Sequence, residues 1–136
     1  MRVCLELDLF RNQSDMGWSE EILNRLLRVL LKANREYIRR HRPPGLYASG
    51  VRYKAEPRGR ENWKNIGHVI EAGFGDCEDL ASWRLAELKE QGETDARYVV
   101  KRQVRNGFVL YHILLRRGRR GGFRLEDPSR RLGMGS

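Results

Sequence analysis

The sequence predicts an α+β domain: helices in its first two thirds, one of them opening on a cysteine, packed on a small antiparallel sheet formed by the last third. Three observations carry this. Apolar residues recur at helical spacing from Ser19 to His41. Gly75-Asp76-Cys77-Glu78-Asp79 places a cap, a thiol and acidic residues at the head of a second helical pattern. Arg97–Arg105 and Phe108–Arg116 are strand-like runs separated by Asn106-Gly107, the strongest short signal for a two-residue hairpin turn.

The elements follow in chain order. Val3, Leu5, Leu7 and Leu9 alternate with Cys4, Glu6, Asp8 and Phe10, the period of a half-buried strand. After the polar break Asn12-Gln13-Ser14-Asp15, the long helix carries Ile22, Leu23, Leu26, Leu27, Leu30, Ala33, Tyr37 and Ile38 on its buried side. Ser19 is its expected N-cap, and Pro43-Pro44 closes it behind Arg39, Arg40 and His41. Leu46–Tyr53 reads as an aromatic-bearing loop or short strand. A short helix is expected from about Glu61 to Ala72, and Gly73-Phe74-Gly75 turns the chain into the cysteine helix. There Asp76 caps, Asp79 sits three residues on, and Leu80, Ala81, Leu85 and Leu88 run down one face from Cys77 before Gly92 stops the helix. A last strand, Phe123 to Asp127, returns after a Gly- and Arg-rich turn.

A length of 136 residues fits one domain, 1–136, divided into an N-terminal strand and long helix (1–45) and a core bearing the site (46–134). No apolar run approaches the roughly 20 residues that span a bilayer, and charges interrupt the N-terminal apolar residues, so neither a membrane segment nor a signal peptide is expected. Two cysteines do not make a disulfide framework, which points to a cytoplasmic protein with free thiols. The formal net charge is +9, and all of it lies in the last third. Residues 96–136 hold eleven Lys and Arg against Glu126 and Asp127, whereas residues 1–95 balance. That excess suits either a docking surface for an acidic protein or peptide substrate, or strand edges kept soluble by cations. Nucleic acid would also suit the arginines, but no aromatic platform or helix-turn-helix pattern accompanies them.

The chemistry centres on Cys77. A thiol in the first turn of a helix meets free backbone N–H groups and the positive end of the helix dipole, which favour a thiolate and later an oxyanion. Asp76, Glu78 and Asp79 oppose the thiolate, so Glu78 and Asp79 are expected to point away from sulfur. If the last hairpin turns about Arg119-Arg120, His112 faces Asp127 directly across two strands, and a helix packed on that face brings Cys77 to His112. Nucleophile, base and orienting carboxylate are then together. The Cys77 N–H supplies one oxyanion donor, with Trp63 and Tyr53 as candidates for a second. A zinc site is the rival use of Cys, His and Asp. Only three ligands are evident and no Cys-x-x-Cys or His-x-x-x-His pattern joins them, so no metal and no cofactor is expected.

Gly75-Asp76-Cys77-Glu78-Asp79-Leu80-Ala81, Tyr111-His112, Glu126-Asp127-Pro128-Ser129 and Leu132-Gly133-Met134 together resemble the transglutaminase-like cysteine peptidase superfamily, in particular its small bacterial and bacteriophage-encoded members. The resemblance runs from about Leu46 to Met134 and includes Tyr47, Gly50, Val51, Arg52, Tyr53, Glu56, Glu61 and Trp63. It implies a papain-like α+β fold, a triad of Cys77, His112 and Asp127, and a thioester intermediate on Cys77 in amide hydrolysis or transamidation. It also implies a bacterial host cytoplasm or virion as the location. Glu78 stands where animal transglutaminases carry Trp, and the length leaves no room for calcium-binding or accessory domains, which favours hydrolysis at least as much as cross-linking. The alternative is a phage structural or binding protein that keeps the fold without turnover and works through its basic hairpins.

Overall fold

The computed structural model describes residues 16–57, 62–118 and 122–135. The expected N-terminal strand, Cys4 and the Arg119-Arg120 turn lie outside the described residues. Among those described, the chain forms four α-helices, a two-stranded parallel sheet and a three-stranded antiparallel sheet, a mixed α+β architecture.

Helix α1 spans Met16–His41, so Ser19 is inside the helix rather than at its cap. It ends where expected, with Arg42 in the left-handed region (φ 45°) donating its N–H to the Ile38 carbonyl at 2.9 Å ahead of the two prolines. Leu23, Leu27 and Leu30 are buried, and the same stripe continues into Asn34. Asn34 was not anticipated as a core residue. Its Oδ1 accepts the Ile66 N–H at 2.9 Å, and this polar bond joins α1 to the next helix.

Leu46–Ala48 form a single 3-10 turn. Strand β1 (Arg52–Tyr53) pairs in parallel with β2 (Phe74–Gly75), a strand the sequence did not announce because two residues carry no periodicity. Between them, α2 covers Ile66–Ala72, several residues shorter than expected. The cause is Asn65, whose side chain accepts the His68 N–H at 3.0 Å and so sets the helix start after Trp63. Gly73, at φ 81°, makes the reversal into β2. Gly75 is needed for space instead: a Cβ there would stand 3.0 Å from the Asp79 Cβ and 3.3 Å from Leu80 Cδ2.

Helix α3 (Cys77–Glu90) is the centre of the molecule, with ten of its fourteen residues buried. It is not one-faced as the apolar spacing suggested. Ala81, Leu85 and Leu88 pack with Leu23, Leu27, Ile113 and Leu115, while Leu80 and Trp83 pack with Leu46, Val51, Ile66, Val69 and Leu132. The helix thus separates two apolar clusters, and burial on both sides removes the amphipathic signal. Glu90 at its far end binds Arg35 (2.6 Å) and Arg39 (2.9 Å) of α1.

Strands β3 (Arg97–Arg105) and β4 (Phe108–Arg117) form the expected hairpin, with Asn106 and Gly107 at φ 51° and 78°. Tyr111, Ile113 and Leu115 of β4, with Tyr98 and Val100 of β3, face α1 and α3. Strand β5 (Arg124–Glu126) pairs with β4, and the four-residue helix α4 (Pro128–Arg131) follows, capped by the Asp127 side chain, which accepts the Arg130 N–H at 3.2 Å.

Candidate active site

Register decides where the acid meets the imidazole. The expected turn paired His112 with Asp127, but the observed partners are Leu115 with Glu126 and Arg116 with Leu125, two residues displaced from that alignment. The connection from Gly118 to Phe123 holds more residues than a tight turn does. A shift of two preserves which face each side chain occupies, whereas a shift of one would have reversed it. Asp127 therefore stays on the His112 side of the sheet, and its Oδ2 lies 2.7 Å from His112 Nε2. The other carboxylate oxygen caps α4. One carboxylate thus orients the imidazole and starts a helix, which holds it against rotation. With Nε2 hydrogen-bonded to Asp127, the unprotonated nitrogen of the neutral ring is Nδ1.

A network of half-buried charges stands behind Asp127. Glu126 Oε2 accepts from Tyr47 Oη (2.7 Å) and Arg84 Nε (2.7 Å), and its Oε1 accepts from Arg117 Nη1 (2.8 Å). Arg84 continues to Glu87, whose Oε1 takes the Leu46 N–H at 2.6 Å, and Arg117 grips Glu93 with two bonds of 2.6 and 2.8 Å. Burial pulls the Glu126 carboxyl up, but the hydrogen bonds from Arg84, Tyr47 and Arg117 outweigh it and hold the carboxyl at about 2. In turn, burial first and then Glu126 raise the Tyr47 phenol. The sequence reading placed Tyr47 in an aromatic-bearing loop and Glu126 in the last strand, without marking either as a partner of the other. Their partners are 79 and 42 residues apart in the chain for the Tyr47 and Arg84 bonds, so no local pattern marks them.

Cys77 is the first residue of α3. Behind it a capping box joins Asp76 and Asp79, with Asp79 Oδ2 accepting the Asp76 N–H at 3.3 Å. Asp79 turns away from sulfur, as expected. It is fully buried and directed to Lys64, whose N–H it accepts at 2.7 Å and whose ammonium lies 3.7 Å away. Burial, reinforced by Asp76, pushes the Asp79 carboxyl up, and the bonds from Lys64 and Asp76 only partly offset this. Lys64 also binds Glu56 at 2.6 Å. Oxygens of Glu56, Asp76 and Asp79 lie within 4.8 Å of one another, a spacing that suits a cation, and the Lys64 ammonium already supplies positive charge to two of the three.

Glu78 does not turn away. Its Oε2 is 3.4 Å from Cys77 Sγ, which corrects the expectation that both flanking carboxylates avoid the thiol. Asp79 could leave because Lys64 offers it a partner. The sulfur also lies 4.0 Å from the carbonyl oxygen of Tyr111, the residue before His112. The body of the helix packs on Tyr111, Ile113 and Leu115 of β4, and at its head Cys77 meets the strand at the Tyr111 main chain, one residue before His112.

Both aromatic residues considered as oxyanion donors are half-buried around this point. Trp63 packs on the apolar cluster that also holds Cys77, and Tyr53 packs on the other. Tyr53 is held by its backbone. Its N–H donates to the Leu132 carbonyl at 3.0 Å, and the next N–H, of Lys54, donates to Gly75 at 2.9 Å. Burial, followed by the charges of Cys77, Asp76, Glu78 and Asp127, keeps the Tyr53 phenol protonated above its ordinary range. The charges of both Cys77 and Asp127 thus bear on the Tyr53 phenol of β1. Comparisons of the chain with protein-family models, curated proteins and solved structures give no match.

Proposed function

We propose that the protein is a cysteine-dependent acyl-transfer enzyme of transglutaminase-like, papain-like architecture, with Cys77 as nucleophile, His112 as base and Asp127 as the residue that orients the base. The observation that carries this reading is the 2.7 Å contact of His112 Nε2 with Asp127 Oδ2 on the strand that Cys77 Sγ approaches from a helix N-terminus. It leaves Nδ1 as the basic nitrogen. The order of elements supports the same reading: a cysteine-headed helix, then an antiparallel hairpin with the base on its second strand and the acid at the end of the third.

In the first step the Cys77 proton passes to His112 Nδ1, the S–H electron pair stays on sulfur, and sulfur attacks the carbonyl carbon of an amide. The oxyanion is met by the Cys77 N–H and by a second donor, for which the protonated Tyr53 hydroxyl is well suited. The imidazolium, stabilised by Asp127, gives its proton to the departing amine, leaving a thioester. Water or an amine then attacks the thioester with His112 again taking the proton; the carbon–sulfur bond breaks with its electron pair on sulfur, and His112 returns the proton to Cys77 as the acyl product leaves. Neither a metal nor an organic cofactor is required for this sequence.

Alkylation with iodoacetamide at neutral pH, followed by peptide mapping, tests the reading without a known substrate. Cys77 is expected to react at least tenfold faster than Cys4, and the preference is expected to vanish in His112→Ala. Equal, slow labelling of both thiols would overturn it. A mixture-based substrate screen with trapping of a thioester on Cys77 then identifies the acyl donor.

A further inference from the structure

The contact between Cys77 and Glu78 is not needed by the mechanism and works against it. Glu78 is 4 % exposed, and its Oε2 lies 3.4 Å from the sulfur. On another side the Tyr111 carbonyl oxygen stands at 4.0 Å. Both neighbours accept hydrogen bonds, so a thiol has a proton to offer them while a thiolate would confront two oxygens with none. The charges that act together with Cys77 on the neighbouring Tyr53 phenol are negative: Asp76 from the turn before α3, Glu78 beside the sulfur, and Asp127 from between β5 and α4. The Tyr53 phenol of β1 is raised above its ordinary range, Lys64 is engaged with Glu56 and Asp79, and His112 of β4 is bound to Asp127.

We infer that Glu78 is a positioning residue that holds the Cys77 thiol in a protonated resting state, so that the reactive thiolate forms only by proton transfer to His112. This rests on the proposed roles of Cys77 and His112. At rest the S–H points to the Glu78 carboxylate. On activation the S–H bond breaks, its electron pair remains on sulfur, an N–H bond forms at Nδ1, and Glu78 keeps its charge. The helix terminus favours the thiolate and Glu78 opposes it. The balance lowers the standing fraction of thiolate, so the reactivity of Cys77 depends on His112 as proton acceptor.

The test is the pH dependence of Cys77 alkylation in the full-length protein, read by peptide mapping for wild type, Glu78→Gln, Glu78→Asp, His112→Ala and the Glu78→Gln/His112→Ala double variant. Gln keeps the shape, removes the charge and can donate to a thiolate. The Glu78→Gln rate at pH 7 is expected to rise roughly tenfold, with the midpoint of the rate profile about one pH unit lower. The double variant should stay slow. Glu78→Asp, which retracts the oxygen, should fall between wild type and Gln, and it decides the matter if the Gln variant does not fold by circular dichroism. An unchanged or slower rate in folded Glu78→Gln or, failing that, in Glu78→Asp overturns the inference. If instead His112→Ala alkylates like wild type and Cys77 is no faster than Cys4, the proposed function itself fails, whatever Glu78→Gln does.

Discussion

At the scale of single residues, the site depends on side chains that do two things at once. Asp127 binds His112 through one oxygen and caps α4 through the other. Replacing it with Asn separates the two tasks, because Asn caps a helix about as well as Asp but does not stabilise an imidazolium. Asp127→Asn is therefore expected to slow acyl transfer by about 10²-fold while leaving the thermal midpoint within a few degrees of wild type. Parallel turnover and melting measurements check both halves, and a fall of activity that merely follows a loss of fold would contradict the assignment. Asp79 shows a different division. It faces away from the thiol, caps the cysteine helix and balances Lys64, so its effect on Cys77 runs through the backbone it holds.

At the scale of elements, β5 is only three residues long and could not hold its own register through pairing alone. Glu126 supplies what the strand lacks, tying it to α3 through Arg84, to β4 through Arg117 and to the 3-10 turn through Tyr47. Its carboxyl is held at about 2 against an ordinary value of 4.5, so the stabilisation is present above the ordinary value and is lost as pH falls towards about 2. Glu126→Gln should cost about 1–2 kcal/mol at neutral pH, since it weakens a half-buried charge network that solvent partly screens. It should also flatten the decline in stability between about pH 4.5 and 2. Urea unfolding at a series of pH values measures both effects. An unaltered acid slope in the variant would show that other carboxylates govern it.

At the scale of the whole molecule, α3 belongs to both apolar clusters, and neither can loosen without moving the helix that carries Cys77. Leu85→Ala in one cluster and Leu80→Ala in the other should each cost about 2–5 kcal/mol. In both variants, unfolding followed by circular dichroism and by tryptophan fluorescence should remain one coincident transition. Separated transitions would mean that the two clusters are independent. The charge excess of the last third is distributed in two ways. Arg117 and Arg102 are absorbed into ion pairs with Glu93, Glu126 and Glu20, and Arg131 lies over the Tyr47 ring, whereas Arg97, Lys101 and Arg124 remain exposed. Among the described residues no helix is long and apolar enough to cross a membrane.

The amino-acid sequence by itself determined the elements whose signals are local. These are the long helix and its proline stop, the capped helix opening on Cys77, the Asn106-Gly107 hairpin, and the parity that puts Asp127 on the His112 face. Period, capping chemistry and turn chemistry act over a few residues and can be read there. Only the tertiary structure decided the true register of β5, the two-sided burial of α3, the charge network around Glu126 and the inward turn of Glu78. Each of these depends on which distant group is available as a partner. Asp79 found Lys64 and turned away from the sulfur, while Glu78 came to rest beside the thiol.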